Sequence, residues 1–160
     1  KEVTLYLKND QIKDTTIHSL YLGGGTPTYL SADQLSNLIS FIRESFNISK
    51  DAEFTVESSP ETITEEKLAV LLDNGVNRCS IVVQTCNDGI LKLHLRRHDS
   101  KCAVDAFNLA KDAGFKNINL DLIRALPDIT PEKLINDLES RRDSIRTLVA
   151  QGFNSVNTRE

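Results

Sequence analysis

The chain has 160 residues, 39% hydrophobic and 26% charged, which is enough for one globular domain with a core and excludes a disordered chain. A net charge of −4 offers no electrostatic footprint for nucleic acid. No apolar run approaches the roughly 20 residues that a membrane helix needs.

In chain order, the first segment is ambiguous. Val3, Leu5 and Leu7 alternate like a strand. Strands are then predicted at Ser19–Gly23, Glu53–Glu57, Cys79–Gln84, Asn117–Ile123 and Asn154–Thr158, as short apolar runs with β-branched residues. Helical patterns lie between them. Ser31 and Gln34 form a capping box ahead of Leu35, Leu38, Ile39, Ile42 and Phe46. Thr64 caps a helix carrying Leu68, Leu71 and Leu72, which stops at Asn74-Gly75. Asn87 caps a short helix with Ile90, Leu91 and Leu93; Ser100 opens another that ends at Gly114. Pro131, after Thr130, starts a last one with Leu134, Ile135 and Leu138.

The joints at Gly75, Gly114 and Gly152 share one layout: helix, glycine, apolar residue, polar residue, strand. They lie 39 and 38 residues apart, about one βα unit. Alternating strands and helices predict an α/β fold with a parallel sheet and right-handed crossovers. A barrel and an open doubly wound sheet share this pattern, and both bind ligands at the carboxyl ends of their strands. That rim carries Gly23, Gly24, Gly25, Thr26 and Pro27 after the first strand, Glu57 at the end of the second, Gln84 at the end of the third, and Asp121 in the fourth. A carboxylate, a carboxamide and bare glycine backbone on one rim describe a polar small-molecule site.

Three of the seven glycines stand together in "SLYLGGGTPTYLSADQL". The run fits neither the dinucleotide-binding nor the P-loop fingerprint. Its next helix cap, Ser31, comes six residues after Gly25, so the loop is not a helix start cradling phosphate. Successive glycine N–H and C=O groups suit the amino and carboxylate groups of an amino-acid ligand. The cysteines Cys79, Cys86 and Cys102 match no zinc or iron–sulfur spacing. An odd count in an acidic chain predicts reduced thiols and a cytoplasmic setting.

The motifs "YLGGGTPTYLS", "EFTVESSPETITEEKL", "GVNRCSIVVQT", "LRRH" and "AGFKNINLDLIRALPDITPE", in that order, resemble those of radical S-adenosylmethionine (SAM) enzymes, in the branch of oxygen-independent coproporphyrinogen III oxidases and their heme-chaperone relatives. The resemblance runs from Leu20 to Leu138. It implies parallel βα repeats forming part of a TIM-like barrel. It also implies a SAM site in which Gly24, Gly25 and Thr26 meet the methionine part, Glu57 faces SAM, and Gln84, Arg96 and Asp121 help hold a second SAM. The implied substrate is a porphyrinogen or heme, and the implied activity is SAM-dependent radical decarboxylation of coproporphyrinogen III in heme biosynthesis. A heme chaperone or a related radical SAM methyltransferase stands as the alternative. No catalytic residue is assigned.

The resemblance carries departures. The family's C-x-x-x-C-x-x-C motif, which binds a [4Fe–4S] cluster, is absent, and no metal ligand is expected in this chain. The chain also contains no methionine. It is therefore expected to be the central part of a longer barrel, one domain over residues 1–160, with the cluster-binding segment upstream and a further domain downstream. The first nine residues are then expected to be the end of a helix, against their own alternation, and the chain alone is expected to be inactive. Val82, Leu95 and Ala125 stand where relatives have glycine, and Arg124 where they have tyrosine.

Overall fold

The computed structural model describes residues 15–123 and 155–159, the latter as backbone. Five strands, β1 (Ile17–Leu22), β2 (Ile48–Ser58), β3 (Arg78–Gln84), β4 (Asn117–Ile123) and β5 (Ser155–Arg159), pair in parallel in chain order. Among the described residues four helices lie between β1 and β4: α1 (Ala32–Ser45), α2 (Glu65–Asp73), α3 (Asp88–Leu93) and α4 (Ser100–Ala113). Strand order following chain order is that of a barrel, and it excludes the reversal that defines a doubly wound sheet over these strands.

Local chemistry sets the helix ends. Ser31 Oγ accepts from Gln34 N–H at 3.2 Å, and Gln34 Oε1 accepts from Ser31 N–H at 3.0 Å, closing the capping box. Thr64, Asn87 and Asp99 cap α2, α3 and α4 through their side-chain oxygens. Gly75 and Gly114 lie in the left-handed region at φ +78° and +114°, where a side chain is disfavoured, and there α2 and α4 end.

Side chains alternate across a strand, so the register sorts the sheet into two faces. Val56 pairs with Cys79 and Cys79 with Ile118; Ser58 pairs with Ile81 and Ile81 with Leu120. This face packs on Leu35 and Ile39 of α1, Leu68 and Leu71 of α2, and Phe107 and Ala110 of α4 in one buried core. Each large aliphatic or aromatic side chain there contributes roughly 1.5–3 kcal/mol by leaving water. The opposite face pairs Glu57 with Ser80, Ser80 with Asn119, and Val82 with Asp121. It is largely polar, and Thr55, Ser80, Asn119 and Asp121 on it are buried.

Strand boundaries differ from the sequence reading by one or two residues at several ends, and by five at the start of β2. β2 starts at Ile48 rather than Glu53, because Ile48 pairs with Ile17 before a register shift brings Glu53 opposite Ser19. Lys50 and Asp51, within that extension, hid it from a pattern reading. β1 ends at Leu22, which leaves Gly23 outside the strand. The expected helix over the first nine residues, the helix after Thr130, the joint at Gly152, and the positions Arg124 and Ala125 lie outside the described residues.

Candidate ligand-binding cleft

At the carboxyl ends of β1, β2 and β3 lies a cleft of about 640 Å³, within the range typical of small-molecule sites. Its walls are the glycine loop (Gly24, Gly25, Thr26, Tyr29), the end of β2 and the turn beyond it (Glu57, Ser59, Glu61), the end of β3 (Val82, Gln84) and the loop after α3 (Leu95 to His98). Six of the seven residues singled out from sequence thus meet at one cleft: Gly24, Gly25, Thr26, Glu57, Gln84 and Arg96. The seventh, Asp121, does not line it. It lies one strand further on, buried on the same polar face, and the side chain of Asn119 donates both to it and to Ser80 Oγ. Its ladder partner Val82 holds the wall position instead.

Glu57 is held at the floor of the glycine loop. Gly24 N–H donates to its Oε2 at 3.3 Å and the Tyr21 hydroxyl donates to its Oε1 at 3.4 Å. The N–H can point there because Gly24 sits at φ +108°. Two 3₁₀ turns, Pro27–Tyr29 and Pro60–Thr62, brace the loop from behind. The Thr28 and Thr62 hydroxyls share a hydrogen bond, and Lys67 Nζ of α2 donates to the carbonyls of Thr28 (2.7 Å) and Thr62 (3.2 Å). Gln84 follows a register irregularity in β3 and takes φ +66°, which ends the strand and keeps the residue at the cleft.

The cleft also contains residues that the sequence reading passed over: Tyr29, Ser59, Glu61, Arg97 and His98. His98 is 6% exposed. Its Nε2 lies 3.1 Å from the Val83 carbonyl oxygen and its Nδ1 3.2 Å from Glu61 Oε2. The same two oxygens also accept from Thr85 N–H (Val83 O, 2.8 Å) and from the Ser59 hydroxyl (Glu61 Oε2). Burial raises the Glu61 carboxyl, but hydrogen bonds from Ser59 Oγ and its own backbone N–H, the charge of His98 and the Tyr29 hydroxyl outweigh it and hold Glu61 below its ordinary value of 4.5. The available signal was the "RRH" run itself, of which only Arg96 was chosen, and the proline-led turn that carries Glu61.

Val82 and Leu95, two of the positions at which the resemblance leads one to expect glycine, both line the cleft. Leu95 adopts φ +53° and is 89% exposed, a strained position for a leucine. The thiols are elsewhere. Cys79 is fully buried in the core and burial pushes it up to about 11, against a small opposing hydrogen bond with Ser58. Among the described residues, no three His, Cys, Asp or Glu side chains are grouped to hold a metal ion, and no helix is long and apolar enough to cross a membrane.

The radical SAM superfamily model matches residues 3–140. The heme chaperone HemW of Lactococcus lactis is 43% identical over 123 residues, covering 77% of this chain and 32% of the relative. The oxygen-independent coproporphyrinogen III oxidase of Escherichia coli is 40% identical over 116 residues, covering 72% and 25%. The solved structure of coproporphyrinogen III oxidase (HemN) from Escherichia coli superimposes with a TM-score of 0.79 at 30% identity, over 98% of this chain and 34% of that one. The chain spans about a third or less of the length of these relatives. With a parallel sheet in barrel order, a glycine loop over its carboxyl rim and a family match across most of its length, the chain belongs to the radical SAM superfamily.

Proposed function

We propose that this chain is the SAM-holding part of a radical SAM enzyme resembling the oxygen-independent coproporphyrinogen III oxidases. One observation carries the reading: Gly24, Gly25, Thr26, Glu57, Gln84 and Arg96, drawn from four separate segments, line one cleft. SAM ends in an amino acid with an ammonium and a carboxylate. Glu57, already fixed by Gly24 N–H and the Tyr21 hydroxyl, supplies a carboxylate for the ammonium. Arg96 supplies a guanidinium for a carboxylate. A Cβ built on Gly24 or Gly25 would meet nothing within 4 Å, so bare backbone faces open space where a ligand can approach closely. The residues present therefore fit SAM, which when bound supplies the one-electron chemistry of the superfamily. Asp121, buried one strand away, belongs to the deeper polar face of the same rim.

The [4Fe–4S] cluster finds no such fit among the described residues, since Cys79 is sealed in the core and no acidic, His or Cys group of three is assembled. Its ligands are expected in a preceding segment. The substrate expected is coproporphyrinogen III. A second reading, a heme chaperone on the same scaffold, is favoured by the 43% identity to HemW.

Titration calorimetry of the chain with SAM tests the site. Binding weakened by Arg96→Ala and by Glu57→Gln supports it; equal binding by all three proteins overturns it. Anaerobic decarboxylation of coproporphyrinogen III by the longer natural protein favours the oxidase. Stoichiometric heme binding without SAM consumption favours the chaperone.

A further inference from the structure

The structure assigns His98 and Glu61 a positioning role: their bridge, buried on the His98 side, anchors the loop after α3 to the ends of β2 and β3, and so fixes Arg96 at the cleft. The inference rests on the SAM reading only for what Arg96 does once it is fixed.

At its start the loop is held by backbone bonds back to α3, among them Leu95 N–H to Lys92 O at 3.1 Å. Leu95, Arg96 and Arg97 are exposed. Leu95 is at φ +53°, a backbone state that the loop would relax if it were free. His98, two residues after Arg96, is by contrast nearly sealed. It reaches the β3 backbone at Val83 O (3.1 Å) and the 3₁₀ turn after β2 at Glu61 Oε2 (3.2 Å). Glu61 is itself fixed by the Ser59 and Tyr29 hydroxyls. The His98 ring thus joins three segments, 37 residues apart at Glu61 and 15 at Val83. A ring engaged at both nitrogens cannot rotate without breaking one of these two contacts, and its own buried nitrogen then lacks a partner. On the other side the loop is tied by Arg96 N–H, which donates to Leu91 O at 2.9 Å. Arg96 therefore hangs between two anchors, one of backbone and one of ring.

His98→Gln keeps a donor for Val83 O but loses the bridge to Glu61; Glu61→Ala removes the bridge from the other side, and Glu61→Gln keeps an acceptor oxygen. The first measurement is amide hydrogen exchange in the ligand-free chain. Exchange at the Arg96 amide is expected to quicken about tenfold in His98→Gln and Glu61→Ala, less in Glu61→Gln, with α1 and α2 unchanged. Unchanged protection at Arg96, or loss spread over the whole chain, overturns the anchor. If His98→Gln does not fold, Glu61→Ala carries the test, since Glu61 is the less buried partner.

The second measurement is SAM affinity in a double-mutant cycle with Arg96→Ala. His98→Gln is expected to weaken binding about tenfold on its own and less than about twofold when Arg96 is already alanine. A full additional loss in the Arg96→Ala background overturns action through Arg96. If the wild-type chain and Arg96→Ala bind SAM equally, the SAM reading fails, and hydrogen exchange alone decides the anchor.

Discussion

The two glycines at the mouth of the cleft separate a folding effect from a binding effect. Gly24 sits at φ +108°, whereas Gly25 has an ordinary backbone, and a Cβ added to either meets no protein atom within 4 Å. Alanine at Gly24 then suffers backbone strain of roughly 1–2 kcal/mol, offset by about 0.4–1 kcal/mol from a stiffer unfolded chain. The net loss is about 1 kcal/mol, or roughly 2–4 °C in Tm for a chain of this size. It also turns the N–H that holds Glu57 Oε2. Alanine at Gly25 has no strain and no clash, so its stability should stay level or rise by up to about 1 kcal/mol. Its methyl group nevertheless stands in the cleft. Overpacking against a bound ligand costs about 1–3 kcal/mol, a loss of roughly fivefold or more in affinity. Circular dichroism melts and SAM calorimetry on both variants read the two effects. Gly25→Ala binding SAM as tightly as wild type would refute the close-approach argument. Equal melting of the two variants would refute the strain argument.

Cys79 is raised by burial from 9.0 to about 11, so its contribution to stability is intact below pH 9 and lost as pH rises from 9 towards 11. Urea unfolding should show a fall of up to about 3 kcal/mol across that window, which Cys79→Ala flattens. A native thiol assay should find Cys79 unreactive until the chain unfolds. Glu61 is held below 4.5, so its contribution is present above pH 4.5 and lost as pH falls through its depressed value; an acid titration of stability that Glu61→Gln leaves unchanged would contradict this. Leu95→Gly relieves strain of about 1 kcal/mol in the fold and frees the unfolded chain by a similar amount, so urea unfolding should shift by less than about 0.5 kcal/mol. A loss above about 1.5 kcal/mol would show that the exposed leucine packs on something essential.

Much of the architecture was legible in the sequence because its determinants are short-range. Ser31 with Gln34, Thr64, Asn87, Gly75 and Gly114 act on backbone groups within four residues, so their spacing alone announces helix ends. Short apolar runs with β-branched residues and a βα repeat sufficed for a parallel sheet, though not for its order. Glu57 and Gln84 were found as strand-end polar residues, and the glycine run by its density; Arg96 came only from the resemblance. Tertiary structure decided the rest, through contacts between residues far apart in the chain. Ile48 became strand because Ile17 lies beside it, which Lys50 and Asp51 conceal. Asp121, on the expected rim, is set one strand away from the cleft by its pairing with Val82. His98 reads as one more polar residue in an exposed "LRRH" loop. Only when β2 and β3 pair, bringing Glu61 and Val83 O together, does a pocket exist in which its ring is buried with two partners. Hydrogen-bond partners 15 and 37 residues distant leave no local pattern to read, because their meeting is a property of the sheet and not of any segment in it.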